Sequence, residues 1–152
     1  MDILKILKFT WILSFLGVNL CLFYVYAGLP EMVAYSGDIE ISLDYIDKEY
    51  FFYFFLISIS LVNVIIYYLT GRGVGSKSLS NYKFYRVVSW EYGLAAVINI
   101  FFTISLLFFS IFNSGEKFEY SNFGYLVYFS LALVALWVIS LPFVIYSARI
   151  KI

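Results

Sequence analysis

An all-α membrane protein, a four transmembrane helix bundle with a small extracytoplasmic β-hairpin or loop between helices 1 and 2, is the fold class this sequence predicts. Three observations predict it. Of 152 residues, 63% are hydrophobic and 13% charged, whereas a soluble domain is about half apolar and about a quarter charged. Four long runs, 9–29, 50–69, 92–112 and 123–148, contain no Asp, Glu, Lys or Arg. Basic residues gather at one set of ends of these runs and acidic residues at the other.

Each run is long enough, at about 1.5 Å of rise per residue, to cross a hydrocarbon core of about 30 Å. A helix is the form in which such a segment satisfies its own backbone in lipid. The chain therefore reads as one domain, 1–152, with an outer loop 30–49, an inner loop 70–91 and a second outer loop 113–122.

Orientation follows from Lys and Arg, which are retained on the cytoplasmic side. Lys5 and Lys8 precede the first run, Arg72, Lys77, Lys83 and Arg86 fill the second connection, and Arg149 and Lys151 follow the fourth run. Lys48 and Lys117 alone fall on the opposite side, where Glu31, Asp38, Glu40, Asp44, Asp47, Glu49, Glu116 and Glu119 also lie. Both termini are expected to be cytoplasmic. Aromatic residues, which favour the headgroup region, mark the same boundaries. Tyr24, Tyr26, Tyr50, Tyr53, Tyr120 and Tyr125 form an expected outer belt, and Trp11, Tyr67, Tyr68, Trp90, Tyr92 and Tyr146 an inner one.

Lys5, Lys8, the first apolar run and Val25-Tyr26-Ala27 also have the outline of a secretory signal. The run is long for a signal core, and a retained first helix is the expectation. Zero net charge argues against a general attraction to nucleic acid. With no His and one Cys, Cys21, the chain has no internal disulfide and no Cys/His metal cage of its own.

The outer stretch Ser36 to Glu49 carries most of the acid. From Asp38, oxygen-bearing side chains fall at the first, third, fifth, seventh and twelfth places, the spacing of a helix-loop-helix calcium loop, but Leu43 stands where that loop needs Gly for its turn. The alternation from Asp38 to Tyr45 has instead the period of a strand whose dry face is Ile39, Ile41, Leu43 and Tyr45. Ser36-Gly37-Asp38 is turn-like, and Met32 to Tyr35 supplies a short partner. A hairpin is favoured over an irregular acidic loop, and calcium binding stays open. A lone hairpin is marginal in water, so its dry face is expected to rest on the bilayer, on the last outer connection or on another protein.

On the inner side, Gly71-Arg72-Gly73-Val74-Gly75-Ser76-Lys77-Ser78 comes close to a phosphate-binding loop. Ser76 replaces the glycine before the lysine, and no nucleotide-binding domain surrounds it. A flexible link is expected. Lys83, Arg86 and Trp90 are expected at anionic headgroups or a cytoplasmic partner, with Ser89 capping the third helix and Glu91 at the positive end of its dipole.

Within the spans, Asn19, Asn63 and Asn99 lie at roughly comparable depth and are expected, with Thr103, to make interhelical polar contacts. Ala96, Asn99, Thr103 and Ser110 share a face of the third helix, and Gly17-x-x-x-Cys21 on the first suits close approach. Pro142 is expected to bend the last helix.

Tyr26-Ala27-Gly28-Leu29-Pro30, followed by Val33, Gly37, Lys48 and Phe51, resembles the pattern of the bacteriocin-immunity-related membrane domain: aromatic-x-x-Leu-Pro closing a span, a valine, a glycine turn and a lysine before the next span. The resemblance covers about the first third of the chain. Relatives often carry His with Trp or Phe after the valine; here Ala34, Tyr35 and Ser36 follow, so any role of that His is absent. Asn113-Ser114, Trp137 and Pro142 make the remainder similar to small four-span bacterial inner-membrane proteins of unknown function. The resemblance implies a bacterial inner-membrane location and no activity.

Ion-coupled transporters and proton channels normally carry acids, bases or His inside the membrane, and these four runs hold none. No nucleophile, base and orienting group come together in a recognisable arrangement. The expectation is therefore a non-enzymatic accessory or scaffolding subunit without a cofactor, whose partners are membrane lipids and other integral proteins of a bacterial envelope complex. The alternative is a stand-alone immunity-type protector or minor small-molecule or lipid transporter, with the three asparagines lining its path.

Overall fold

The computed structural model describes residues 3–38, 42–75, 81–114 and 120–149. Its elements are α1 (Ile3–Gly28), β1 (Met32–Asp38), β2 (Ser42–Asp47), α2 (Lys48–Gly75), α3 (Asn81–Phe112) and α4 (Tyr120–Arg149). Each helix contains a segment long and apolar enough to cross a membrane: Ile3–Gly28, Lys48–Gly71, Tyr85–Phe112 and Gly124–Ser147. Large apolar side chains such as Leu20, Ile57, Val64, Leu136 and Phe143 stand exposed around all sides. A continuous apolar exterior of this kind is solvated by hydrocarbon rather than water.

The helices overrun the apolar runs. Once a helix has nucleated, each further residue adds a hydrogen bond without a new nucleation cost, and α2 continues through Gly71-Arg72-Gly73-Val74-Gly75 while α3 begins at Asn81. Of the expected inner loop 70–91, residues 70–75 and 81–91 are helix, and 76–80 lie outside the described residues. Two expectations fall with it. The glycine-rich stretch up to Gly75 is helix, not a link or phosphate loop, and Ser89 and Glu91 lie well inside α3, not at its capping end. One carboxylate oxygen of Glu91 is buried with no hydrogen-bond partner among the described residues.

α3 is the hub. It packs against α1, α2 and α4, whereas among the described residues α4 packs on α3 alone, and α1 meets α2 less extensively than it meets α3. Two apolar clusters are stacked along the three-helix core. The one nearer the hairpin, named outer for that position alone, joins Val18, Leu22, Val25 and Leu29 of α1 and its end to Phe51, Phe55 and Ile59 of α2, Leu106 of α3 and Val33 of β1. The inner one joins Trp11, Ile66, Val88, Tyr92 and Ala95.

The hairpin is present and antiparallel, but its register differs from the expected one. Val33 pairs with Ile46, Ala34 with Tyr45, Ser36 with Asp44 and Asp38 with Ser42, with an irregularity between Ala34 and Ser36 that makes Tyr35 the extra residue. Ser36-Gly37-Asp38 is strand rather than turn. Ile39 and Ile41 lie in the 39–41 connection, outside the described residues. Tyr45, expected on the dry face, is 52% exposed, while Val33 is fully buried and Ile46 packs on the outer cluster. The reason is closure at the base: the Lys48 N–H donates to the Glu31 carbonyl at 2.9 Å, so β2 runs straight into α2. A one-residue change in phase exchanges the faces of a strand. Ser42 and Asp44 therefore sit in a ladder and Glu49 in a helix, unlike the coil of a calcium loop.

Candidate functional site

A polar layer separates the two apolar clusters. Asn63 of α2 and Asn99 of α3, both buried, face one another. The Asn63 Nδ2 donates to Asn99 Oδ1 at 2.8 Å, and the Asn99 Nδ2 donates back to Asn63 Oδ1 at 3.1 Å. Asn63 gives its other N–H to the Ile59 carbonyl, and Asn99 gives its other to Ser14 Oγ on α1. The Trp11 indole N–H donates to Asn63 Oδ1 at 2.8 Å. Both N–H groups of each amide are thus engaged by protein, and the Asn63 oxygen accepts twice. In hydrocarbon an unmet amide costs several kcal/mol, so the layer specifies how three helices meet.

Asn19 does not join this layer. Its amide donates to the Phe15 carbonyl of its own helix at 2.7 Å. It stands five residues beyond Ser14, about 7.5 Å further along α1, and the place expected for it is taken by Ser14 and Trp11. Trp11 was expected in the inner aromatic belt; it is instead buried, stacked on Tyr92 with ring centroids 5.3 Å apart. The signal for it in the sequence is one helical turn: Trp11 and Ser14 are i and i+3. Thr103 donates to the Asn99 carbonyl within α3, and its own carbonyl receives the Cys21 thiol at 4.0 Å. No atom lies within 4 Å of a Cβ placed at Gly17, so Gly17 is not a point of close approach.

The seam between α3 and α4 uses residues expected at headgroups or a partner. Trp90 Nε1 donates to Ser140 Oγ at 2.9 Å and to the Trp137 carbonyl, and Arg86 donates to Ser147 Oγ at 2.6 Å. Gly93 lies beneath the Trp137 ring, where a Cβ would overlap the indole. On α4 the less exposed positions Val127, Ser130, Val134, Trp137, Ser140, Val144 and Ser147 recur at three- and four-residue steps, one stripe of a helix. The rest of α4 is open. Lys83 is helical, and its side chain lies outside what the structure describes.

Under the hairpin, Asn113 at the end of α3 acts as a short strand. Its Oδ1 accepts the Ala34 N–H at 2.8 Å and its Nδ2 donates to the Ala34 carbonyl at 3.1 Å. Tyr35, Ile46, Phe51, Phe54, Phe55 and Phe109 enclose an apolar hollow of about 280 Å³ there. Lys48 lies over the Tyr26 ring, 4.8 Å from its centroid.

Between α1 and α2 two hollows share the rings of Trp11 and Tyr67. One, about 340 Å³, is lined by Lys8, Tyr68, Thr70, Gly71 and Tyr92 besides; the other, about 330 Å³, by Ile12, Phe15, Ser60, Asn63 and Val64. Among the described residues no group of three or more His, Cys, Asp or Glu side chains comes together as a metal site.

These features define a multi-pass membrane protein with four candidate spanning helices. No family model, no curated protein and no solved structure matches the chain.

Proposed function

We propose that the chain is a non-enzymatic accessory or scaffolding subunit of a bacterial inner-membrane envelope complex, docking laterally on other integral membrane proteins. The observation that carries this reading is the placement of α4. A helix that packs on α3 alone among the described residues offers its remaining faces, with Tyr128, Phe129, Leu136 and Phe143 exposed, to a second membrane protein. Van der Waals packing and interhelical hydrogen bonds drive such association in lipid. The hairpin, tied to α3 through Asn113 and to α2 through its base, adds a further contact surface with Tyr45 outward.

The rival reading as an immunity-type protector or minor transporter draws less support from the asparagines. A polar pathway needs groups free to exchange partners, whereas both amide N–H groups of Asn63 and of Asn99 are spent on protein acceptors.

The experiment is purification at native expression in a mild detergent, with mass spectrometry of the co-purifying proteins. A defined set of integral proteins in fixed stoichiometry is expected, and replacing Leu136 and Phe143 by Ala should release it. A chain recovered with lipid alone would overturn the reading.

A further inference from the structure

We propose that the groove between α1 and α2 is a binding site for one anionic phospholipid, with its phosphate at Lys8 and an acyl chain running inward to Ser60. This goes beyond the scaffolding reading and does not depend on it.

The two hollows form the two ends of an amphipathic slot. At one end stand Lys8, Tyr67, Tyr68, Thr70, Gly71 and Tyr92. Aromatic rings and lysine at this level are the usual company of a lipid headgroup. At the other end Ile12, Phe15 and Val64 present hydrocarbon. Trp11 and Tyr67 are common to both.

The length fits one leaflet. From Gly71 to Ser60 the rise along α2 is about 16 Å, roughly half of the ~30 Å hydrocarbon core. Ser60 also stands at the middle of the apolar segment Lys48–Gly71.

The floor is closed to competing chemistry. Asn63, the amide that lines the apolar end, gives both its N–H groups to Ile59 and Asn99, and its oxygen accepts from Trp11 and Asn99. A chain can lie across it without stranding a donor. Nor does a second protein helix fit, since its diameter with side chains is about 10 Å and the apolar end holds about 330 Å³. The headgroup end is open at Gly71, where nothing beyond its own helix backbone and chain neighbours lies within 4 Å of a Cβ position. Lys8 sets the sign of the ligand: no carboxylate is among the described residues lining either end.

The test is native mass spectrometry of the full chain, delipidated in detergent and offered dioleoyl phosphatidylglycerol and dioleoyl phosphatidylcholine at equal concentration. One retained phosphatidylglycerol is expected, in about five-fold preference, the ratio one basic residue is worth near opposite charge. Lys8→Gln should bring the ratio close to one, while Lys5→Gln, outside the groove, should leave it unchanged. Val64→Trp, at an exposed position, should fill the apolar end and lower adducts of both lipids. Equal retention by the wild type, a preference that survives Lys8→Gln, an equal loss in Lys5→Gln, or unaltered adducts in Val64→Trp would each overturn the site.

Discussion

Trp90 of α3 and Trp137 of α4 each donate an indole N–H to the other's backbone carbonyl, at 3.2 and 3.1 Å. This reciprocal pair is the centre of the seam that holds α4. It lies one turn from Pro142, whose missing N–H cannot return to the Val138 carbonyl, in a helix that nevertheless runs on to Arg149. With α4 packed on α3 alone among the described residues, this seam decides whether the fourth helix is docked.

Replacing either tryptophan by Phe should lower thermal stability in detergent by about 0.6 to 1.7 kcal/mol, the range of interhelical hydrogen bonds in membranes. Gly93→Ala should cost more than either, because its Cβ would overlap the Trp137 ring. Gly17→Ala is the control, with open space around it and a better helix former introduced. Circular dichroism melts of the four variants check the order, and a Gly17→Ala loss equal to that of Gly93→Ala would refute it.

Asn63→Leu and Asn99→Leu should each destabilise the protein by roughly 1 to 3 kcal/mol, since each leaves the partner amide and either Trp11 or Ser14 without its bond. The double variant should cost less than the sum, because it removes both halves of the pair. Asn19→Leu should stay within about 0.5 kcal/mol of the parent, as its amide serves its own helix. Denaturation midpoints measured in one detergent make the comparison.

Asn113→Ala should free the hairpin from α3 by removing both partners of the Ala34 backbone. Hydrogen exchange at Ala34 is expected to accelerate while that of the helical members of the outer apolar cluster is unchanged. Ile46→Ser should cost about 1 to 2 kcal/mol, part of the ~1.5 to 3 for burying such a side chain, and Tyr45→Ser next to nothing. Equal effects of the last two would restore the register in which Tyr45 faces inward.

The orientation proposed from Lys and Arg is open to direct labelling. In a Cys21→Ala background, a maleimide unable to cross the membrane should modify Glu40→Cys in intact cells and spare Lys77→Cys until the cells are broken. The reverse pattern would invert the chain in its membrane.

The four spans were legible because lipid imposes a single condition, an uncharged stretch about 20 residues long, and the sequence meets it four times. The hairpin was legible as an alternation of Ile, Leu and Tyr with acids. Its phase was not, because the extra residue at Tyr35 and the Lys48–Glu31 closure are contacts between segments. Asn63 and Asn99 could be singled out as costly in hydrocarbon. That Trp11 and Ser14, rather than Asn19, would answer them depends on the rotation and depth of α1 against its neighbours.

Composition and charge placement alone therefore determined that this chain is built from four apolar helices, since a backbone buried in hydrocarbon must satisfy itself, and the alternation from Asp38 to Tyr45 favoured a two-stranded cap over a loop. Only the tertiary structure decided that α3 is the hub, that α4 hangs on one seam among the described residues and that hollows open between α1 and α2. Every face of these helices is apolar, so hydrophobicity cannot choose among them in lipid. The choice falls to shape at Gly93 and to the few hydrogen bonds that Trp11, Asn63, Trp90 and Asn99 can complete.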